Sequence, residues 1–476
     1  MSRQVVDSLV DQNPDTGELT PWLAQRFEAS PDGRDFTFTL RSDVTFSDGT
    51  PLTSDVVKKN FDALGSPASA NAAGSTRALQ ASGFLLGYEG TDTPDRRTAV
   101  VRFREPNVQF LQAAATTQLG ILASSTVGRS FDERCNGSAV IGSGPYTYSG
   151  WEQNRSATLT RRDDYRWAPD IGFAQKARYQ TVEFSVVPES GVRAGSVESG
   201  QLDASADPQP QDRESLSSAG ASLVSRPNPG LPYVIQPNVS RGALADRAVR
   251  RAVTTALNRP ELVGTVLGDG FTPATSVLAS TTPGYHDDKD IRYDPKASER
   301  VLDAAGWRRP GDGTREKDGK TLTFDVIYSP EFYGNKPILE LIQQQLHAVG
   351  IGMTVTALSN DDFLSRRSVG DFDAVYYNVT RADPDILRSR LSADGTNYSQ
   401  RTFDPEIDPL LQQQAGVADR ARRTGIVEQV QTRLAEAGYA IPVTELSQVA
   451  AVAPGFGGIG FDASGVLRLQ FADGES

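Results

Sequence analysis

The stretch DFTFTLRSDVTFSDGTPLTSDVVKKNFDAL, residues 35–64, decides the fold of this chain. From Phe36 to Phe46 apolar and polar residues alternate, and this two-residue period is typical of half-buried β-strands. Residues 47–50 are the turn formers Ser-Asp-Gly-Thr. Thr53 can cap the helix that follows, whose apolar residues recur at helical spacing from Val57 to Leu64. The stretch therefore predicts two strands, a turn and a capped helix.

The order of residue types in this stretch carries more information than its periodicity. Leu40-Arg41 is followed by Val-x-Phe-x-Asp-Gly-Thr-Pro-x-Thr at 44–53 and by a helix opening Asp-Val-Val at 55–57. This order closely resembles the signature of the family 5 extracytoplasmic solute-binding proteins, the ligand-capturing subunits of peptide, nickel and related ABC importers. Four further segments of the chain resemble landmarks of the same family, namely IGSGPYTYSGW at 141–151, SGQLD at 199–203, TPGY at 282–285 and YDPKASERVLDAAGW at 293–307.

The resemblance implies an α/β fold of the two-lobed periplasmic-binding-protein type (type II, cluster C) with an extra inserted subdomain. The expected division places the core of lobe I at 1–21, 139–233 and 447–476 and the inserted subdomain at 22–138. Lobe II is expected at 234–446.

Local patterns predict several elements. Residues 322–357 alternate between strand and helical spacing and predict a parallel β-α-β unit. Residues 1–21 are interpreted as a helix end and a loop, and residues 65–76 as a surface loop. The glycines and proline at 142–145 suit a crossing strand near a hinge. The proline-rich segment 228–238 is expected to cross to lobe II.

The composition is that of an ordinary globular protein, long enough for about three domain-sized units. The 476 residues include 48 Lys plus Arg and 60 Asp plus Glu, which gives a net charge of −12 without blocks of like charge. Such a negative field argues against nucleic acid or an anionic membrane surface as a partner. Cys135 is the sole cysteine, so an intrachain disulfide is excluded, and a small buried or inactive residue is expected.

The sequence offers few catalytic or metal-binding motifs. His347 is expected at a surface or boundary, and His286 in a solvated loop beside two aspartates. Residues 455–460 match GxGxxG without a following helix, and Gly-Lys-Thr at 319–321 lies in a Gly/Asp-rich hairpin, so both are interpreted as turns. Carboxylate pairs are plentiful, which keeps a hydrolase open as an alternative, but no pair is singled out. We expect no enzyme activity and no cofactor.

The resemblance also implies a ligand position. In peptide-binding relatives a Trp precedes an Asp that pairs with the peptide's amino terminus, three residues ahead of an acidic-Pro pair. Matching that pair to Asp383-Pro384 places Tyr377 at the Trp position and Thr380 at the Asp position. The aromatic residue is kept in kind. The anchoring charge is absent, and Arg381 is its neighbour.

Without that charge, capture of a peptide amino terminus loses a charge-assisted hydrogen bond worth about 1.5 to 3 kcal/mol. Asp383, Asp385 or Asp7 is a candidate replacement. Asp7 matches a ligand neighbour of the family or, alternatively, is a solvated helix-end carboxylate. A ligand carboxylate or phosphate for Arg381 is another possibility, and a surface pair between Arg381 and Asp383 is a third.

The expected ligand site comprises eight residues, namely Tyr377, Asn378, Thr380, Arg381, Asp383, Asp7, Asn238 and Trp151. On an alternating strand Tyr376 and Tyr377 face opposite ways, so one of them lines the cleft, and the resemblance favours Tyr377. We expect Tyr377→Ala and Arg381→Ala to weaken ligand binding with little change in melting temperature.

The resemblance implies a monomeric substrate-binding component that captures a peptide or peptide-like small solute between hinged lobes and delivers it to an ABC permease. Alternative ligands are oligosaccharides, metal chelates and specialised metabolites. The chain starts MSRQVVDSLV without a signal-type apolar segment or a lipid-attachment cysteine. We therefore expect a longer, lipid-anchored precursor that acts outside the cytoplasm.

Overall fold

The structure is a computed structural model that describes residues 1–65, 83–85, 87–134, 136–172, 175–311 and 313–469. The surface loop predicted at 65–76, apart from Gly65, and the predicted role of Cys135 lie outside the described residues. Within those described ranges, no helix is long and apolar enough to cross a bilayer.

The strands and helices alternate along the chain. The strands are β1 Val10–Gln12, β2 Leu19–Pro21, β3 Ala24–Ala29, β4 Asp35–Leu40, β5 Tyr88–Asp95, β6 Thr98–Phe103, β7 Tyr146–Glu152, β8 Ser156–Arg161, β9 Thr181–Ser185, β10 Ala204–Ala206, β11 Ser222–Pro227, β12 Gly230–Pro237, β13 Thr272–Pro273, β14 Glu316–Lys317, β15 Lys320–Thr321, β16 Thr323–Tyr328, β17 Gly352–Ala357, β18 Ala374–Thr380, β19 Ile441–Glu445, β20 Ser447–Val452, β21 Gly460–Phe461 and β22 Leu467–Arg468. The α-helices are α1 Ser54–Gly65, α2 Phe110–Ala113, α3 Ser124–Val127, α4 Phe131–Arg134, α5 Ser190–Glu198, α6 Arg213–Ser218, α7 Arg247–Ala256, α8 Arg259–Val266, α9 Pro295–Ala304, α10 Asn335–Ala348, α11 Asn360–Ser368, α12 Ile386–Leu391, α13 Asp408–Ala415 and α14 Arg420–Ala437.

The deciding stretch folds as predicted at its two ends. In β4 every second side chain is buried, and α1 buries Val57 and Phe61 against the same core. The second predicted strand is wrong, because the backbone between Val44 and Phe46 forms only an isolated bridge, from Thr45 to Pro51. The tight turn that follows uses a backbone group that a strand would need for pairing, since Phe46 N donates to Thr50 O at 2.8 Å.

The amino-terminal segment differs from the helix end and loop predicted at 1–21. After a short 3₁₀ turn at Ser2–Gln4, β1 and β2 form an antiparallel hairpin. The connecting turn closes with Asn13 N donating to Glu18 O at 2.8 Å and Gly17 N donating to Asn13 O at 2.9 Å. The predicted turn signals are correct, but extended strands flank them where a helix end was expected.

One large sheet dominates residues 230–445. Its six strands run in the order β13-β19-β12-β18-β16-β17, with β16 parallel to β17. The helix α10 connects β16 to β17, so the predicted parallel β-α-β unit is confirmed. A separate apolar core covers each face of the sheet. Successive side chains of β18 point to opposite faces and therefore enter the two cores in turn.

The remaining residues build smaller sheets with cores of their own. A four-stranded sheet has the order β3-β4-β6-β5, and two three-stranded sheets have the orders β7-β8-β9 and β10-β20-β11. We call residues 1–229 and 446–469 lobe I, and residues 230–445 lobe II. The chain passes between the lobes from β11 to β12 and from β19 to β20, and these crossings are joined where Asn228 N donates to Leu446 O at 2.7 Å.

The segment 142–145 is not one of these crossings, in contrast to its predicted place near a hinge. Gly144 N donates to Val5 O at 2.8 Å, and a Cβ at Gly142 would lie 2.0 Å from Val5 O. The missing side chains instead allow the amino-terminal segment to lie directly on this backbone.

Candidate functional site

A cavity of about 470 Å³ lies between the two lobes. Lobe I contributes the β1–β2 hairpin and the segment around α2, and lobe II contributes the residues after β18 and the start of α14. The polar and charged lining residues are Gln12, Glu18, Gln112, Asp383, Arg420, Arg423 and Thr424. Apolar side chains, among them Leu19, Val108, Leu111 and Val427, form the rest of the wall. Its volume and mixed lining suit a small solute.

Direct contacts between the lobes close the cavity. Val108 N donates to Ala415 O at 3.2 Å, and Arg420 Nη2 donates to Thr16 O at 2.7 Å. The lobes therefore stand in a closed arrangement, in which a bound solute would be held by both of them.

Asp383 forms a bidentate ion pair in the cavity wall. Arg423 donates to both of its carboxylate oxygens, at 2.6 and 2.9 Å, and also to Gln414 Oε1. Burial alone would lower the pKa of Arg423, but the charge and hydrogen bonds of Asp383 outweigh it and raise that pKa. Asp385 is fully buried and binds Arg388 in the same bidentate way, with both distances at 2.7 Å. Both candidate carboxylates are thus neutralised by arginines of the chain.

The lobe I side of the cavity offers hydrogen-bond acceptors. Gln112 Nε2 donates to Gln12 Oε1 at 3.0 Å, and Gln12 Nε2 donates to Gly17 O at 3.2 Å. This chain of amides fixes the orientation of Gln112, whose buried Oε1 has no hydrogen-bond partner among the described residues. The Glu18 carboxylate is exposed and forms no ion pair with any residue that the structure describes. The two groups can accept hydrogen bonds from a solute.

The two tyrosines of β18 face opposite sides of the sheet, as predicted. Tyr376 stacks on Tyr233 with ring centroids 5.0 Å apart, and Tyr377 meets Tyr398 edge-on at 5.5 Å. The Tyr377 hydroxyl donates to Gln236 Oε1, and burial raises the pKa of that hydroxyl. Tyr377 therefore packs inside lobe II and does not line the cavity.

Thr380 and Arg381 lie where β18 ends, beside the crossing between lobes. Thr380 is exposed, and its Oγ1 accepts a hydrogen bond from Asn228 Nδ2 at 3.0 Å. The Arg381 guanidinium lies 4.3 Å from the centre of the Phe84 ring in lobe I. Since Asp383 pairs with Arg423, the proposed surface pair between Arg381 and Asp383 is wrong. Asn378 is half-buried on the same strand.

Asp7, Asn238 and Trp151 lie outside the cavity lining. Asp7 is fully buried, with Oδ2 accepting from Trp167 Nε1 at 2.9 Å and from Ser143 Oγ at 3.1 Å. Its interpretation as a solvated helix-end carboxylate is therefore wrong. Burial raises the pKa of Asp7 to about 6.

The other two residues serve local structure. Asn238 Nδ2 donates to Gly370 O at 3.1 Å, and its Oδ1 accepts from the Ser240 hydroxyl at 2.7 Å. Trp151 lies in β7 with its ring 5.8 Å from that of Tyr148. Neither set of contacts involves Tyr377 or residues 380–383.

The polar cavity residues Gln12, Glu18, Gln112, Arg420 and Arg423 escaped sequence reasoning. They come from three segments that are distant along the chain, and none belongs to a recognisable motif. The turn NPDTGE was visible, and it places Glu18 at the end of the hairpin. The other cavity residues come together only in the folded chain, where the two lobes meet.

The rejected motifs are turns in the structure. Residues 318–319 form the two-residue turn between β14 and β15, with positive φ angles of 49° at Asp318 and 71° at Gly319. Residues 455–459 lie in the connection from β20 to β21, which contains no helix, and Gly460 begins β21. Across the residues that the structure describes, no group of three or more metal-ligating side chains occurs.

Comparison with known proteins agrees with this architecture. A sequence model of the bacterial extracellular solute-binding proteins, family 5 Middle, matches residues 18–399. The nickel-binding periplasmic protein of Escherichia coli is 24% identical over 471 residues, covering 96% of this chain and 86% of the relative. The dipeptide-binding protein of Escherichia coli is 23% identical, covering 89% of this chain and 80% of the relative.

Solved structures show the same fold. NikA from Brucella suis, solved in complex with Fe(III)-EDTA, superposes with a TM-score of 0.83 at 26% identity and covers 99% of this chain and 93% of its own. The oligopeptide-binding protein AppA from Bacillus subtilis, in complex with a nonapeptide, gives a TM-score of 0.74 at 20% identity, covering 97% of this chain and 91% of its own. The predicted two-lobed type II fold is thereby confirmed. With most of its length matched, the chain belongs to the bacterial extracellular solute-binding proteins of family 5.

Proposed function

We propose that this chain captures a peptide or peptide-like small solute in the cavity between its lobes and delivers it to an ABC permease. The observation that carries the proposal is the cavity between the lobes, which has acceptors without a partner among the described residues on the lobe I side and arginines on the lobe II side. A peptide or amino-acid-like solute offers an ammonium group for the acceptors and a carboxylate for the arginines.

We propose that the Glu18 carboxylate binds the solute's ammonium group. It takes the role of the aspartate of peptide-binding relatives, whose position Thr380 occupies in this chain. Asp383 and Asp385 are already paired with arginines, whereas Glu18 is exposed at the cavity. Gln112 Oε1 supplies a second acceptor, and Arg420 faces the solute from lobe II. Arg381, Thr380 and Asn378 form the rim at the end of β18, and Tyr377 supports that rim from inside lobe II.

A non-peptide solute is the second candidate. The relatives include a nickel-binding protein and a structure that holds Fe(III)-EDTA, and both are similar to this chain over nearly its full length. An oligosaccharide or specialised metabolite would fit the same cavity volume.

The family consists of binding proteins, and we propose that this member makes and breaks no bond. A hydrolase is the alternative, and mass spectrometry of peptides and oligosaccharides after incubation separates the two: product in large excess over protein would establish catalysis. The family is extracytoplasmic, and we propose a lipid-anchored monomer there. We also propose that residues 22–138 form an inserted subdomain within lobe I.

A thermal-shift screen tests the proposed ligand class. Dipeptides to nonapeptides, oligosaccharides and nickel chelates are compared, since a ligand at one hundred times its Kd stabilises the protein by about 2.7 kcal/mol. We expect a peptide to raise the melting temperature, and Glu18→Gln to abolish that rise. Glu198→Gln, an exposed substitution in α5, is the matched control and should keep it. Stabilisation by a chelate or oligosaccharide with none by peptides would replace the ligand class.

A further inference from the structure

Three arginines of lobe II have no counter-ion among the residues that the structure describes. Arg367 lies in α11, Arg381 follows β18, and Arg390 lies in α12. In the ranges that the structure describes, none of them forms an ion pair, although the chain has more acidic than basic residues. Their sequence neighbours differ, since Arg366 pairs with Asp371 and Arg388 pairs with Asp385.

Most N–H groups of these three guanidiniums also have no acceptor among the described residues. Arg381 Nη1 reaches Gln109 Oε1 at 3.5 Å, and Arg390 Nη1 reaches Thr396 Oγ1 at 3.4 Å, both at the long limit of hydrogen bonding. The buried Nε of Arg390 has no partner among the described residues. Within the same described ranges, the Arg367 guanidinium forms no hydrogen bond. Each guanidinium carries five donors, so most of this donor capacity is unused.

Aromatic rings hold Arg367 in place of a carboxylate. Its guanidinium carbon lies 4.7 Å from the ring centre of Tyr398, 4.9 Å from that of Phe363 and 5.3 Å from that of Tyr377. Such contacts stabilise the cation through its face and leave the in-plane N–H groups free to bind an anion. Tyr377, at the position of the family's ligand aromatic, is thus one of the three rings around Arg367.

The charge of Arg390 acts on the other two arginines. Burial and, to a smaller extent, the like charge of Arg390 lower the pKa of Arg381 to about 10. Burial also lowers the pKa of Arg367, and Arg390 again adds to that effect, while Tyr398 and Tyr377 oppose it. Asp383 and Asp385 act on Arg381 in the opposite direction, but each is bound to its own arginine. A group of partly buried like charges is stabilised when an anion binds among them.

We propose that Arg367, Arg381 and Arg390 form a binding site for an oxyanion group, a carboxylate or a phosphate, of the captured solute. The proposal rests on solute capture between the lobes and adds that the solute is acidic. Guanidinium groups bind both kinds of oxyanion through paired N–H donors. Because Arg381 also contacts Phe84 and Gln109 of lobe I, an anion at this site lies where the lobes meet.

Isothermal titration calorimetry with citrate and with inorganic phosphate tests the site, with sodium chloride at matched ionic strength as the reference. We expect one citrate or one phosphate to bind per chain. The probe that binds identifies the carboxylate or the phosphate as the source. Arg390→Gln and Arg367→Gln should each weaken binding at least about tenfold, as loss of a charge-assisted contact does. Arg366→Gln, which changes a paired arginine in α11, should leave the affinity unchanged.

Two outcomes overturn the site. The first is the absence of citrate and phosphate binding beyond the chloride reference. The second is an equal loss in Arg366→Gln, which would reveal bulk electrostatics. Circular dichroism checks folding, and removal of an uncompensated charge in Arg390→Gln should not lower the melting temperature. Failure of both anions while neutral peptides still stabilise the protein would refute this site alone, whereas failure of every solute would refute capture itself.

Discussion

Arg423 binds both carboxylate oxygens of Asp383, at 2.6 and 2.9 Å, in the wall of the cavity between the lobes. Asp383 belongs to the acidic-Pro pair that marks the ligand region of the family, and its side chain is 6% exposed. The charge at this position is therefore committed to the protein's own structure. Under our proposal, the charged partners of a solute are instead Glu18 and the three arginines Arg367, Arg381 and Arg390.

Asp383→Asn would leave the Arg423 guanidinium without its counter-ion. Removing one partner of a buried ion pair costs about 3 to 5 kcal/mol, so we expect a loss of that size in the free energy of unfolding, measured by urea titration. The double substitution Asp383→Asn/Arg423→Gln removes both charges and should recover most of the loss. A double variant as unstable as the single one would show that the pair itself does not account for the cost.

Tyr377→Ala should destabilise the protein strongly, in contrast to the small effect expected from sequence. The ring is buried in lobe II, and truncating a buried aromatic residue costs about 3 to 5 kcal/mol. Its melting temperature should fall by several degrees in differential scanning calorimetry. Arg381→Ala, at a half-buried rim position, should change the melting temperature little. Equal melting temperatures for Tyr377→Ala and the unmodified protein would contradict the burial of the ring.

The pH dependence of stability should contain a contribution from Asp7. Burial raises the pKa of Asp7 to about 6, although Trp167, Arg3 and Ser143 oppose that rise. In the unfolded chain an aspartate titrates near about 3.9, so the folded protein holds the proton more tightly. This stabilisation is complete below about pH 4 and is lost as the pH rises through about 6.

Asp7→Asn cannot ionise and keeps an oxygen that can accept from Trp167 and Ser143. Relative to the unmodified protein, its free energy of unfolding should therefore increase by about 3 kcal/mol between pH ~4 and pH ~7.5. Urea titrations of both proteins at the two pH values provide the comparison. A difference between the proteins that does not vary with pH would exclude a raised pKa at Asp7.

Arg420→Gln should loosen the closed arrangement, because it removes the hydrogen bond from Arg420 Nη2 to Thr16 O between the lobes. A hydrogen bond contributes about 0.5 to 1.5 kcal/mol, so solute affinity should fall about twofold to twelvefold in calorimetry. Arg422→Gln, on the exposed face of α14, is the matched control and should bind normally. The inter-lobe bond would be irrelevant to capture if both variants bound equally well.

The sequence predicted those parts of the fold that depend on local periodicity. β4, α1 and the β16-α10-β17 unit each repeat apolar residues with the period of their own backbone. Residues 44–46 also alternate between apolar and polar. They do not form a strand, because Phe46 N donates to Thr50 O within the following turn. A periodic pattern does not reveal such a competing hydrogen bond.

The candidate site depends on contacts between distant segments. Asp7 is buried by Trp167 and Ser143, which lie far along the chain, so its exposure was misjudged. The acceptors of lobe I meet Arg420 and Arg423 only across the closed cleft. The family resemblance directed attention to the residues after β18, but the arginine partners of Asp383 and Asp385 follow from packing alone.

Small-angle X-ray scattering with and without the solute found in the thermal screen tests the central claim most directly, namely that the lobes close around a captured solute. With solute, the scattering curve should match the closed structure described here. Without solute, a larger radius of gyration is expected, because the lobes can separate about the two crossings at 227–230 and 445–447. Identical curves in the two states, for a solute that binds with a stoichiometry of one, would contradict capture by lobe closure.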